Sequence, residues 1–562
     1  MTISTNTIDV TEAVEIALTE EYGWCRYVDL TVTLWLKGWI HGTKGDDLLQ
    51  WFVKNNEILS AEKLGDYLSG KDGHFAIVAS GNNWSVAAVD WVRSIPIAAA
   101  QVDHHWVIDG QPNRLRQRAK FGTNEVNIDA AREIAMAGYT IDHKSLYRGL
   151  WVLAPGELFY FSDAVAPLRH KYHSYQPWRA EQSAKRVTEK ELENCTLEIM
   201  DRTVASLDGR PLIIPLSAGN DSRLIASAAK HLGVKNVRCF AYGRAGNHEV
   251  KTSKAIAERL GYDWRFVPST ITKARQFFSS DAYTRYLDFA DSCTSVPFVQ
   301  DMMALQELKV AGFIPADAII ANGNSGDYIS GAHISAELCH PRPDLSAAER
   351  KIRILNALYD KHFALWKCLR TEPNKQRILS ELELSLNRGG AILGDADYDH
   401  GIYEYAEFQD RQCKYVVTGQ RIYEFLGHEW RLPLWDNAYL RFWETVPLSD
   451  KNKQSLYLRM LKQANWGNVW QDIPVNELNV RPLWVIPLRW IAKAAHASLD
   501  RTKWHRFERQ YFQYWMDVTC NSACVPYWRV AKDQRGSRQF VSWLTEQYLH
   551  QHGIALNGMQ QA

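Results

Sequence analysis

The sequence lacks an excess of either charge: 65 Lys and Arg stand against 64 Asp and Glu, a formal net charge of +1. No global field draws such a chain to nucleic acid or to an acidic membrane, so nucleic acid is not an expected partner. Long apolar runs are missing too. No stretch approaches the ~20 apolar residues that cross a bilayer, and no membrane span is expected. The segment Leu483–Ile491 (LWVIPLRWI) is apolar but short, and Pro487 and Arg489 interrupt it. It reads as a buried element rather than a membrane contact. The opening residues, MTISTNTIDVTEAVEIALTEE, are acidic and have no apolar centre, unlike a secretory leader. The expected location is cytoplasmic. The nine cysteines are odd in number and follow no repeating interval, which argues against a secreted disulfide framework. Cys520 and Cys524 lack a second pair at zinc-ligand spacing. Internal repeats and low-complexity tracts are absent. The 22 tryptophans are unusual, and composition assigns them no role.

What is present is a soluble composition, 46% apolar and 23% charged, on 562 residues, enough for two or three domains. From Tyr27 to about Phe161 short strands are expected. Val28–Leu36 (VDLTVTLWL) alternates apolar and polar, Phe75–Ala79 and Val86–Val89 flank the turn Gly81-Asn82-Asn83, and Glu157–Phe161 follows Pro155-Gly156. A polar stretch from about Ser162 to Gln182 reads as a linker. Beyond Ala184 strands alternate with helices: Leu212–Leu216, Val237–Tyr242 and Ile319–Ala321 are short buried-type runs. The helix after the first places Ile225, Ala228, Ala229 and Leu232 on one face and stops at Gly233. The next places Val250, Ala257 and Leu260 inward and stops at Gly261. Crossover units of this kind build a doubly wound parallel sheet.

The most informative residues are Pro215-Leu-Ser-Ala-Gly-Asn-Asp-Ser-Arg223. A strand runs into small residues and a helix opens at Asp221 and Ser222, which lets backbone N–H groups approach an anion at a helix N-terminus. Ser217 and Ser222 add hydroxyl donors. Asp221 would repel phosphate unless a divalent cation lay between them, which implies magnesium. The Gly-Lys-Ser/Thr ending of a Walker loop is absent, and no Gly-x-Ser-x-Gly elbow makes Ser222 a nucleophile.

This turn resembles the pyrophosphate loop, Ser-Gly-Gly-x-Asp-Ser, of the N-type ATP pyrophosphatases. Cys239-Phe-Ala-Tyr-Gly243, Asn247-His-Glu-Val, Ala255–Gly261, Ala321-Asn-Gly-Asn-Ser-Gly-Asp327 and Glu429-Trp-Arg-Leu-Pro-Leu-Trp-Asp436 are similar, in order, to landmarks of the asparagine synthetase family. Gly73–Ile77, Asp90–Pro96 and Ser145–Gly156 resemble those of its glutaminase domain. The resemblance implies an α/β chain: an N-terminal Ntn-like α+β sandwich (1–165), a doubly wound PP-loop synthetase domain (184–464) and a helical C-terminal extension (465–562). It implies ATP and Mg2+ as cofactors. Leu216 and Tyr242 would flank adenine and ribose, Ser217, Ala218, Gly219, Asn220, Asp221 and Ser222 would hold the phosphates, and Asn322 and Gly323 would meet the nucleotide. Asp221 and Asp327 would be the metal carboxylates. The implied reaction adenylates a carboxylate, releasing pyrophosphate, then transfers the acyl group to ammonia or an amine, releasing AMP.

Three departures qualify it. Glutaminases of the family use a cysteine at residue two, whereas this sequence begins Met1-Thr2-Ile3 and Cys25 is internal, so no glutaminase activity is expected. Asn324 replaces a glutamate, and an amide cannot take a proton. Ala218 replaces a loop glycine, tolerable where φ is negative. A cation near the α-phosphate is also implied: Lys451, Lys453 and Arg481 are candidates, and Lys453 joins Asn324 and Glu429 in the catalytic set. Asp103-His104-His105 reads as structural, since adjacent histidines on a strand face opposite ways. An asparagine synthetase fed with free or partner-supplied ammonia, and a silent nucleotide-binding scaffold, remain alternatives. A homodimer is left open.

Overall fold

The structure, a computed structural model, describes residues 9–11, 14–162, 166–179, 187–475, 480–497, 501–533 and 539–555. It is a mixed α/β chain with three sheets. The N-terminal region carries two of them. One has six antiparallel strands in the order Leu168–Lys171, Glu157–Phe161, Ser85–Val89, Gly73–Ser80, Thr33–Ile40 and Trp24–Val28. The other has five, Asp9–Thr11, Val14–Ile16, His105–Asp109, Ala98–Val102 and Trp151–Val152. Trp35, Val78 and Val89 from the first sheet and Ile16, Ala99 and Ile108 from the second belong to one buried cluster.

Several expectations shift here. Val28–Leu36 is not one strand: Asp29 N–H bonds the Val32 carbonyl at 2.9 Å and the Asp29 carboxylate accepts from Thr31 N–H, a side-chain-closed turn that reverses the chain. Leu30 sits at the exposed tip, so the alternation that resembled a strand runs through a hairpin. The polar stretch after Ser162 contains an edge strand, Leu168–Lys171, paired with Glu157–Tyr160. The remainder of that stretch falls partly outside the described residues. Asp103 and His104 have φ of 48° and 73° and form the turn of a hairpin rather than part of a strand. His105 bonds Glu15 at 3.1 Å, and no group of three or more metal-type side chains occurs among the described residues.

The third sheet is wholly parallel, in the order Asp263–Pro268, Val237–Gly243, Leu212–Pro215, Ile319–Ala321 and Glu429–Arg431. Its buried Ile213, Ile214, Cys239, Phe240, Ile319 and Ile320 form continuous apolar runs. The helices Asn220–His231 and His248–Leu260 pack on it and stop as expected, at Gly233 (φ 74°) and Gly261 (φ 71°). Because all five strands run the same way, the loops after Pro215, Gly243 and Ala321 emerge together at one edge. Two of the five were not expected. Asp263–Pro268 is an edge strand with only Val267 buried, and Glu429–Arg431 is three residues long. The apolar segment Leu483–Ile491 is largely unburied: Val485 turns inward, but Leu483, Trp484, Leu488, Trp490 and Ile491 are exposed.

Candidate functional site

The loops at the carboxyl edge enclose a cavity of about 460 Å³. Its wall includes Leu216, Ser217, Gly219, Asn220, Asp221, Ser222, Tyr242, Asn322, Gly323, Asn324 and Asp327, so most residues singled out in the sequence meet here. Gly219 caps the helix Asn220–His231 without a side-chain acceptor, and the first-turn residues Asn220, Asp221 and Ser222 line the cavity. Ser217 and Ser222 hydroxyls lie 3.1 Å apart, and Ser222 Oγ accepts from Ser217 N–H at 3.0 Å. Ala218 is buried and has no positive φ, so its methyl group is accommodated beneath the loop.

Two glycines bring the loops into contact. A Cβ on Gly323 would stand 2.6 Å from Ser222 N, and one on Gly326 would stand 2.6 Å from Asp221 Oδ1. Asp327 N–H donates to Asp221 Oδ2 at 3.0 Å, and the Tyr457 hydroxyl donates to Asp221 Oδ1 at 3.1 Å. Burial, and then the adjacent Asp327 charge, pushes the Asp221 carboxyl up to about 7. Burial would also raise Asp327, but the hydrogen bond and charge of His333 outweigh it and hold that carboxyl below the usual range. Asp327 keeps 51% of its side chain exposed, open to the cavity. His333 places Nε2 3.2 Å from Asp327 Oδ2 and bonds Glu407 through Nδ1. Burial alone would depress the imidazole; the two carboxylates raise it.

Other lining residues went unread in the sequence. Asp301 is buried and pushed up to about 6, chiefly by burial; its Oδ2 accepts from the Tyr423 hydroxyl at 3.0 Å, while Oδ1 has no hydrogen-bond partner. Asn322 Nδ2 donates to that same Tyr423 hydroxyl at 2.8 Å. Glu249, Gln300, Gln454, Val475, Val518 and Thr519 also line the wall. Glu249 falls within the landmark Asn247-His-Glu-Val, which carried no site role in the sequence. Nothing local marked Asp301 or Gln454.

Three expectations need correction. Glu429 lies at the amino end of its strand, level with Ile319, whereas the cavity lies beyond Ala321. It pairs with Arg210 and lines a separate cavity of about 440 Å³ with Cys25, Lys37 and Arg431. Lys453 is exposed beside Cys339, and its neighbour Gln454 faces the cavity instead. Lys451 is fully buried against Glu404 at 2.7 Å, and Arg481 bonds the Gly246 carbonyl at 3.0 Å. No Lys or Arg is therefore among the described residues that line the cavity. Cys25 is no activated nucleophile either: burial, then the charges of Glu20 and Glu429, raises its thiol.

The donor set fits a hard cation shared with phosphate oxygens. Magnesium typically takes one or two carboxylates and completes its shell with water and phosphate, and Asp221 and Asp327 supply two beside a helix N-terminus.

No family model matches the sequence, and no curated protein matches it. Among solved structures the chain is similar to glutamine phosphoribosylpyrophosphate amidotransferase from B. subtilis complexed with ADP and GMP, at 11% identity, with 54% of this chain covered and a TM-score of 0.17. The match spans 64% of that solved chain. A likeness at this score carries no argument about the site.

Proposed function

We propose that the chain is an ATP-dependent, amide-forming synthetase of the asparagine synthetase type, a doubly wound PP-loop domain following an Ntn-like N-terminal domain. The observation that carries the reading is the contact between the two loops: Asp221 and Asp327 joined by a 3.0 Å hydrogen bond beneath an uncapped helix N-terminus. In the first step an oxygen of the substrate carboxylate bonds the α-phosphorus of ATP, and the bond to the β-phosphate oxygen breaks, releasing pyrophosphate. The N–H groups near Gly219 and the hydroxyls of Ser217 and Ser222 hold the departing oxygens. Mg2+ held by Asp221 and Asp327 would supply charge neutralisation on the phosphates. In the second step an amine nitrogen bonds the acyl carbon, AMP leaves, and the nitrogen gives up a proton.

Asn324 cannot take that proton. His333, held by Glu407 and 3.2 Å from Asp327 of the cavity wall, is assigned as the acceptor. Its raised pKa sets the sign: the imidazole is protonated at low pH and becomes a base only as pH rises above its ordinary value. Mg2+-dependent ATP–pyrophosphate exchange with candidate carboxylates tests the first step, and the exchange disappears in Asp221→Ala. His333→Ala keeps that exchange but slows amide formation by roughly 10²–10⁴-fold, as loss of a general base does. Equal loss of both steps would remove His333 from this role.

A second reading has its own observation. With Asn324 in place of a carboxylate and no Lys or Arg on the described wall, the cavity also suits a nucleotide-binding scaffold without turnover. Tight ATP binding with neither exchange nor AMP release would favour it. If the first reading holds, amide formation from aspartate and free ammonia identifies an asparagine synthetase.

A further inference from the structure

The helix Val485–Ala497 in the C-terminal extension is amphipathic in an unusual sense. Its inner face, Val485, Arg489, Ala492 and His496, is buried or half-buried and packs toward the following helix, Arg501–Tyr511. Its outer face is apolar as well. Trp484, Leu488 and Ile491 recur at helical spacing with 50%, 51% and 69% exposure, and Leu483 and Trp490 beside them are 61% and 66% exposed. Buried tryptophans account for much of this chain's large number, but Trp484, Trp490 and Trp528, the ones that stand exposed, all lie in this one extension.

The charge of this extension is also one-sided. Residues 481–497 contain Arg481, Arg489 and Lys493 and no Asp or Glu. Over 480–533 the chain carries nine Lys and Arg against four Asp and Glu, although the whole protein is balanced at +1. Lys493, Lys503, Arg506, Arg509 and Lys532 are exposed. Exposed apolar side chains with indole rings, on an extension that also exposes an excess of cations, match the layered chemistry of a bilayer surface, where acyl chains lie beneath anionic headgroups. Protein interfaces are depleted of lysine, which stands exposed here at Lys493, Lys503 and Lys532. Among the described residues no helix is long and apolar enough to cross a membrane, so a helix of this kind would lie along the surface.

We propose that the helix Val485–Ala497 docks the protein on an anionic lipid surface, with Trp484, Leu488, Trp490 and Ile491 entering the headgroup boundary. The same extension supplies Val518 and Thr519 to the wall of the 460 Å³ cavity, so docking holds that cavity close to the membrane.

The full chain is floated with vesicles of phosphatidylcholine and with vesicles of phosphatidylcholine mixed with phosphatidylglycerol. Partition into the mixed vesicles exceeds that into phosphatidylcholine alone by at least about tenfold and falls with added salt. Trp490→Glu with Ile491→Glu, both at exposed positions, removes the partition, and Lys503→Glu with Arg506→Glu removes the preference for the anionic lipid. Leu488→Ser with Ile491→Ser repeats the first test with a milder change, and unchanged melting temperatures show that the variants fold. A chain that stays in solution beside the mixed vesicles overturns the proposal, as does a Trp490→Glu/Ile491→Glu variant that floats like the parent. Light scattering without lipid covers the remaining occupant: a dimer that this double variant dissociates makes a second copy, and not a membrane, the partner of the face.

Discussion

At the residue scale the site turns on Asp221. Its carboxyl stands at about 7 because burial and Asp327 both disfavour its charge. In an unfolded chain an aspartate titrates near ~3.9, so between about pH 4 and 7 the folded state holds the proton more tightly. Stability from this group is therefore present at the acid end and lost as pH rises through 7. Asp221→Asn removes the charge, and in chelator the variant should melt with a shallower pH dependence over that window. It should exceed the parent near pH 8 by on the order of 1 kcal/mol. Added Mg2+ should stabilise the parent there and leave the variant unmoved. Parallel melting curves for the two would exclude Asp221 as the charged metal carboxylate. The sequence marked Asp221 because an acid in a phosphate turn is anomalous. It did not mark Asp301 or Glu249, whose positions on the cavity wall depend on segments far from the turn.

At the scale of elements, strand, loop and helix were legible where periodicity and punctuation agreed, as from Leu212 to Gly233. They were not where strands were short or closed by a side chain. The Asp29 turn broke an alternation that continued straight through it in the sequence. The helical turn at Leu448–Lys451 shows a different failure. A lysine there matched an expected phosphate contact, yet its exposure is zero and it is paired with buried Glu404. Removing one partner of a buried pair leaves an uncompensated charge, which costs roughly 3–5 kcal/mol. Lys451→Met should lose stability on that scale in urea, and Lys451→Met/Glu404→Gln should recover most of it. A Lys451→Met protein with full stability and no pyrophosphate exchange would instead restore the lysine to the phosphates.

At the scale of the whole molecule, the largest buried cluster takes in Ile16, Trp35 and Val89 of the N-terminal sheets, Ile213 and Phe240 of the parallel sheet, and Leu544 near the end. Polar ties cross the same boundary: Lys37 pairs with Glu424 at 2.8 Å with both buried, and Arg93 donates to Thr294 at 3.2 Å. The three regions expected at 1–165, 184–464 and 465–562 therefore share a core. Calorimetry should show one cooperative transition, with calorimetric and van't Hoff enthalpies in agreement. Separate transitions would show that the N-terminal sheets fold on their own.

Neighbours along the chain were enough to announce a strand entering small residues and a helix opened by an acid, because backbone conformation and N-terminal capping act over a few residues. They could not announce which charges would meet. Asp221 reaches Asp327, Lys451 reaches Glu404 and Leu483–Ile491 turns outward because electrostatic interaction and burial depend on distance in space, and the packing of the sheet edge and the extension set those distances.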